Sequence, residues 1–304
     1  NAPAAMRHLP DTMADLAGRG SPRDFIFTAG PNDPRVWALG PEFEDIWHFT
    51  AGAGTGHNNH VCALDVDRDG REEVFAGGSL IAPDGREIWR QEELLRRLRA
   101  PNAGHVDAAQ MGFFCDNPDL PVIHMEGSSA GHLVADARDG STLVDHPQGH
   151  VQGGCAGRFI PGEPGIQVAA SCRHGNYGIL AIYSGDGRRL SRFQPDYRTD
   201  CPRSIHWDGS GIELLLIAND PRRAALFDWK GRPLVPLSPH LPDTYEPTIP
   251  NKQRDFVAIP IGNDPRDCLL VRIQNEIRFI QPEGPPPSGG HPVRRRSAVT
   301  SPTF

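Results

Sequence analysis

The hydrophobic positions fall in short runs separated by Gly, Pro, Asp and Asn, and the runs repeat in a fixed order. Small or apolar runs begin at Val61, Ala108 and Gly154. Polar turns follow at 67–71, 116–121 and 161–165, and second runs begin at Glu73, Val122 and Gln167. Each unit closes on a hairpin with a turn signal between apolar flanks: Leu80 to Trp89, Leu133 to Val144, and Leu180 to Leu190. The same grammar continues through 204–207, 213–217 and 225–235, then through 256–259, 268–273 and 277–280. A hairpin over 35–47 reads as part of an earlier unit. Five full units and one partial unit, each of four short strands in about 45 residues, predict an all-β chain folded as a β-propeller, with room for six or seven blades. A two-sheet sandwich does not explain so regular a spacing. Only residues 91–98 carry a helical period, so one short surface helix is expected there. Residues 1–22 and the Pro- and Arg-rich 283–304 read as tails around a propeller domain at 23–282.

Composition narrows the function. The chain has 304 residues, with 33 Gly and 30 Pro spread between apolar runs, and no apolar stretch long enough to span a membrane. A net charge of −7 argues against a nucleic-acid binder. Of 31 basic residues only Lys230 and Lys252 are lysine, leaving 29 arginines. That bias fits GC-rich coding or recognition of planar anions. The six Cys form no CxxC pair. The chain opens at Asn1 without Met or an apolar leader core, and so reads as a processed form or a fragment of a secreted, extracellular or periplasmic protein.

Asp65-x-Asp67-x-Asp69-Gly70-x-x-Glu73 supplies hard oxygen ligands around a turn-permitting glycine, and predicts a structural calcium site joining two strands. The alternative is an acidic turn without metal. Gly-His recurs at His57, His105 and His150, with His-to-His spacings of 48 and 45 residues. Repeat-equivalent residues of a propeller converge on one face, so these, together with His60, His124, His174 and His206, point to a shared site near Arg173, Tyr177 and Arg203. Cys155, Cys172, Cys201 and His206 form a candidate structural zinc set. The plain alternative is four small residues packed within blades.

Three segments resemble a known group: Asp65-Val-Asp-Arg-Asp-Gly-Arg-Glu-Glu-Val, Gly104-His-Val-Asp-Ala-Ala-Gln-Met-Gly-Phe-Phe and Gly178-Ile-Leu-Ala-Ile-Tyr-Ser-Gly-Asp-Gly. They are similar to the polysaccharide lyase propellers, the rhamnogalacturonan and ulvan lyases. The resemblance implies β-elimination at a 4-linked uronate in an acidic, rhamnose-rich polysaccharide. The C5 proton becomes acidic only when the neighbouring carboxylate is neutralised. A base then removes that proton, and an acid protonates the leaving oxygen. On this resemblance His105 and Tyr177 are the acid/base candidates, and Arg173 and His124 neutralise the carboxylate. His57, His60, His150, His174 and Arg203 bind sugar. The expected partner is an acidic polysaccharide met by a monomer, without nucleic acid or membrane. A calcium-pinned propeller that only binds carbohydrate or serves adhesion explains the repeats equally well, but leaves the registered His and Arg without a role.

Overall fold

The computed structural model describes residues 10–29, 33–53, 61–98, 105–173, 178–195, 199, 201–241, 256–260, 264–273 and 276–284. Nearly all its regular structure is antiparallel sheet, in two compact units that divide between Gln152 and Gly153. The first unit contains three meanders. They are β1 (Thr12–Ala14), β2 (Asp24–Thr28), β3 (Arg35–Leu39) and β4 (Asp45–Thr50); then β5 (Cys62–Leu64), β6 (Glu73–Ala76), β7 (Ser79–Ile81) and β8 (Glu87–Arg90); then β9 (Ala108–Gly112), β10 (Val122–Glu126), β11 (His132–Asp136) and β12 (Thr142–His146). Helix α1 (Glu92–Leu98) separates the second and third and buries Leu94, Leu95 and Leu98. The second unit contains β13 (Val151–Gly157, begun in the first), β14 (Gln167–Cys172), β15 (Leu180–Tyr183) and β16 (Arg189–Phe193). After these come β17 (Arg203–Ile205), β18 (Leu214–Ile217), β19 (Ala225–Phe227) and β20 (Pro233–Pro236), and finally β21 (Phe256–Pro260), β22 (Asp267–Ile273) and β23 (Glu276–Ile280). In every sheet the strands neighbour one another in chain order.

Within each unit successive sheets stack face to face. Val36, Ala38, Val61, Val74 and Ile81 join the first two sheets, while Phe75, Leu80, Met111 and Ile123 join the second to the third with α1 wedged between them. In the second unit, Ala169, Ile182, Leu215 and Phe227 do the same, followed by Leu216, Leu226, Leu269 and Val271. Each fully buried Phe, Leu or Ile contributes roughly 1.5–3 kcal/mol of apolar transfer. Chain-ordered four-stranded meanders stacked in this way belong to the β-propeller class.

One turn recurs. The third and fourth strands are joined through a residue of positive φ, supplied by Gly85, Gly140, Gly187 and Gly231 at 74–90°. Glycine suits it twice over, because a Cβ on Gly85 would meet Trp47 at 2.7 Å and one on Gly140 would meet Trp89 at 2.8 Å. The same two tryptophans donate Nε1–H to Pro83 O (3.1 Å) and Ala137 O (2.8 Å), stapling each outer strand to the next hairpin.

Three sequence expectations change. Thr12–Ala14 lies in the stretch read as an N-terminal tail, yet it pairs with β2 through Thr12–Ile26 and Ala14–Asp24. The first repeat is therefore complete, with β1 and β2 ahead of the hairpin read at 35–47. The last repeat, read as full, has three strands among the described residues.

Candidate functional site

The first unit carries a buried carboxylate joined to two imidazoles. Gly104-His-Val-Asp and Gly149-His-Val-Gln are repeat-equivalent tetrapeptides leading into β9 and β13. His105 Nε2 lies 3.1 Å from Asp107 Oδ1, Gln152 Nε2 donates to the same oxygen at 2.7 Å, and His150 Nε2 lies 3.4 Å from Oδ2. His150 Nε2 also lies 3.0 Å from Gln152 Oε1, and its Nδ1 faces Ser128 Oγ at 3.2 Å. Ser128 bridges to Val151 with φ 53°, a left-handed backbone that a non-glycine residue adopts at a cost of about 1 kcal/mol.

Burial would raise the Asp107 carboxyl, but hydrogen bonds from His105 and His150 outweigh it and hold the group below the usual carboxylate range. An ionised carboxylate only accepts, so His105 Nε2 is the donor in this pair. His105 is 8% exposed, so only an edge of its ring is accessible.

A second polar layer crosses the same sheet. Glu126 on β10 stands opposite His132 on β11, which stands opposite His146 on β12. His132 Nδ1 is 3.6 Å from Glu126 Oε1, and its Nε2 is 3.1 Å from His124 Nδ1. Burial, reinforced by Asp107, pushes Glu126 well above the carboxylate range. Burial also pushes His132 well below the ordinary histidine value, with His124 and His146 adding to the effect.

The acidic loop is assembled in part. Asp65, Asp67 and Glu73 bring one carboxylate oxygen each within 4.8 Å of one another, and among the described residues no other His, Cys, Asp or Glu group does so. Asp69 instead caps its own turn, accepting from Arg71 N at 2.8 Å. Two observations fit a cation here. Asp65 Oδ1 is buried with no hydrogen-bond partner among the described residues, and burial with the nearby Asp67 and Asp65 charges raises Glu73 to about 7.

Other nominated residues fare differently. His57, His60, His174 and Tyr177 lie outside the described residues. His124 does not line a surface: it is fully buried on β10 between His132 and Phe114, out of reach of a polymer. Arg173 and Arg203 belong to the second unit, where Arg203 Nη1 donates to Phe256 O at 2.9 Å. The zinc set is not assembled. His206 Nε2 accepts from Gly211 N at 3.0 Å inside its own turn, and Cys155 packs with Phe159, Ala169 and Leu180. None of the six cysteines is in a disulfide. Sequence reading missed Asp107, Gln152 and Ser128. The first two were signalled by the alternate-position pattern after each Gly-His, whereas nothing local marks Ser128.

No protein-family profile matches the chain, and no curated protein matches it in sequence. Solved structures do share its fold. The exotype rhamnogalacturonan lyase YesX superposes with a TM-score of 0.68 at 20% identity over 89% of this chain. The rhamnogalacturonan lyase YesW gives 0.64 at 18% over 90%, and a Bacillus licheniformis rhamnogalacturonan lyase gives 0.62 at 19% over 89%. The chain spans less than half the length of each, 44–46%. At these identities the likeness is one of fold.

Proposed function

We propose that this chain is a polysaccharide lyase that cleaves a 4-linked uronate in an acidic, rhamnose-containing polysaccharide by β-elimination outside the cytoplasm. The observation that carries the proposal is the pair His105 and His150 joined through Asp107, set in a fold shared with three rhamnogalacturonan lyases.

His105 Nδ1 takes the C5 proton. Its Nε2–H stays bonded to Asp107, whose buried negative charge stabilises the imidazolium as it forms. The electron pair of the C5–H bond becomes the C4–C5 double bond as the C4–O bond breaks. Where C5–H and the C4 oxygen share a face, as in a 4-linked glucuronate, the same imidazolium then returns the proton to the departing oxygen, leaving His105 as it began. His150, when protonated, offers positive charge to the uronate carboxylate, which is what makes the C5 proton removable. Asp65, Asp67 and Glu73 would hold calcium as a structural pin between β5 and β6, remote in role from the proton transfer.

The test is product chemistry. Incubation with rhamnogalacturonan, ulvan and related rhamnose–uronate polymers should yield fragments whose new non-reducing ends carry an olefinic C4 proton by NMR. Saturated ends would mean hydrolysis, and an unchanged polymer across the panel would leave carbohydrate binding without cleavage.

A further inference from the structure

The turn between β10 and β11 brings two hydroxyls to the second imidazole of the site. Its sequence is Gly127-Ser128-Ser129-Ala130-Gly131. The same turn in the preceding sheet, between β6 and β7, consists of Gly77-Gly78 alone, so the fold itself does not call for the two serines. Backbone bonds tie the turn down. Gly127 N–H donates to Gly131 O (2.8 Å), Ala130 N–H to Gly127 O (2.8 Å), and Val151 N–H to Ser128 O (3.0 Å). Gly131 closes it at φ 95°, where a Cβ would meet His146 O at 2.6 Å.

His150 links that turn to Asp107. Its Nε2 faces two acceptors, Gln152 Oε1 at 3.0 Å and Asp107 Oδ2 at 3.4 Å, while the Gln152 amide donates to Asp107 Oδ1 at 2.7 Å. Nε2 therefore carries a hydrogen, and in the neutral ring Nδ1 is left to accept. Ser129 Oγ lies 3.4 Å from Nδ1. Ser128 Oγ lies 3.2 Å from Nδ1 and 3.5 Å from Nε2, beside the ring edge between the two nitrogens. Ser128 is buried and Ser129 is exposed, so the Ser129 hydroxyl is the one a reagent can reach. The Ser129 N–H has no hydrogen-bond partner among the described residues.

We propose that Ser129, His150 and Asp107 act as a nucleophile, its base and the carboxylate that orients the base, and that the chain hydrolyses a carboxylic ester at this turn. His150 Nδ1 takes the hydroxyl proton as Ser129 Oγ bonds to the carbonyl carbon, and the carbonyl π pair moves onto oxygen. The unpaired Ser129 N–H is a donor for that oxygen. The pair then returns, the bond from carbon to the alcohol oxygen breaks, and the His150 imidazolium protonates the departing alkoxide. Water repeats the sequence on the acyl-serine, releasing the acid and restoring Ser129. Asp107 thus serves two imidazoles. Elimination draws on protonated His150 and on His105, whereas ester hydrolysis draws on the free imidazole of His150 and on Ser129, so the two activities stand or fall separately.

The chain mixed with 4-nitrophenyl acetate should release nitrophenolate with an initial burst stoichiometric with protein, the mark of an acyl-enzyme. The rate should fall in acid, because only the free imidazole accepts the hydroxyl proton. A fluorophosphonate should label the chain once, on Ser129, as read by peptide mass spectrometry. Ser129→Ala should lose the label and at least about a hundredfold in turnover while keeping the wild-type circular dichroism spectrum. Labelling of the wild-type chain decides the matter even where the variant fails to fold. Three outcomes overturn the proposal: a label on Ser128 or elsewhere, undiminished hydrolysis by a folded Ser129→Ala protein, or a wild type that neither hydrolyses the ester nor takes the label.

Discussion

Replacing Asp107 by Asn keeps the shape of the site and removes its charge. Asp107 is 1% exposed and accepts from His105 and Gln152, with His150 beside its second oxygen. Asn still accepts at one oxygen but loses the charge assistance of two hydrogen bonds, and it turns an amide N–H toward the donor His150 Nε2. Hydrogen bonds to a charged group contribute about 1.5–3 kcal/mol each, against roughly half that for neutral ones. Relief of the burial penalty of the carboxylate offsets part of the loss, so the net cost is about 2 kcal/mol, or roughly 4–8 °C in Tm for a unit of this size. The pH dependence has a definite sign. The folded-state value of Asp107 lies below its unfolded value near 3.8, so its stabilisation is present above that value and is lost as pH falls through the folded one. The Tm gap between wild type and Asp107→Asn, followed by circular dichroism, should be constant near neutrality and close in acid. A variant melting within about 1 °C of wild type at neutral pH, or a gap indifferent to acid, would refute the reading of Asp107 as an ionised hub.

Calcium should raise Tm, by about 2.7 kcal/mol of added stability at a hundredfold excess over Kd, and Asp67→Ala should abolish the increment; equal melting with calcium and with chelator removes the metal. Glu126 has a raised folded-state value, so its contribution is present below its unfolded value and lost as pH rises through the folded one. Glu126→Gln, a neutral isostere, should therefore gain in Tm relative to wild type as pH is raised, and parallel curves would mean the acid is not held protonated. Trp89→Phe leaves Ala137 O without its donor and should cost about 1 kcal/mol by urea unfolding.

The repeats were legible because propeller strands are short, evenly spaced and closed by turns that need glycine, and each of these leaves a mark on sequence. Gly85, Gly140, Gly187 and Gly231 marked the hairpins directly. The corresponding first-repeat turn carries Phe43 at φ 61°, a residue that gives no turn signal, and its exposed ring stacks on Phe25 at 5.1 Å. The convergence of His105 and His150 was readable from register, and the carboxylate that joins them was present two residues beyond the first histidine. The zinc set and His124 went astray for one reason: spacing reports which residues share a level of the fold, but not whether a side chain faces a surface or the packing between strands. His124 and Cys155 share their levels with site candidates and face inward.

The most direct test compares wild type with His105→Ala on the polysaccharide that wild type cleaves fastest, following the ultraviolet absorbance of the unsaturated uronate. A positioned acid/base group contributes about 10²–10⁴-fold, so the variant should lose at least the lower figure in turnover while keeping the wild-type circular dichroism spectrum. A folded His105→Ala protein producing unsaturated ends at the wild-type rate would contradict the account.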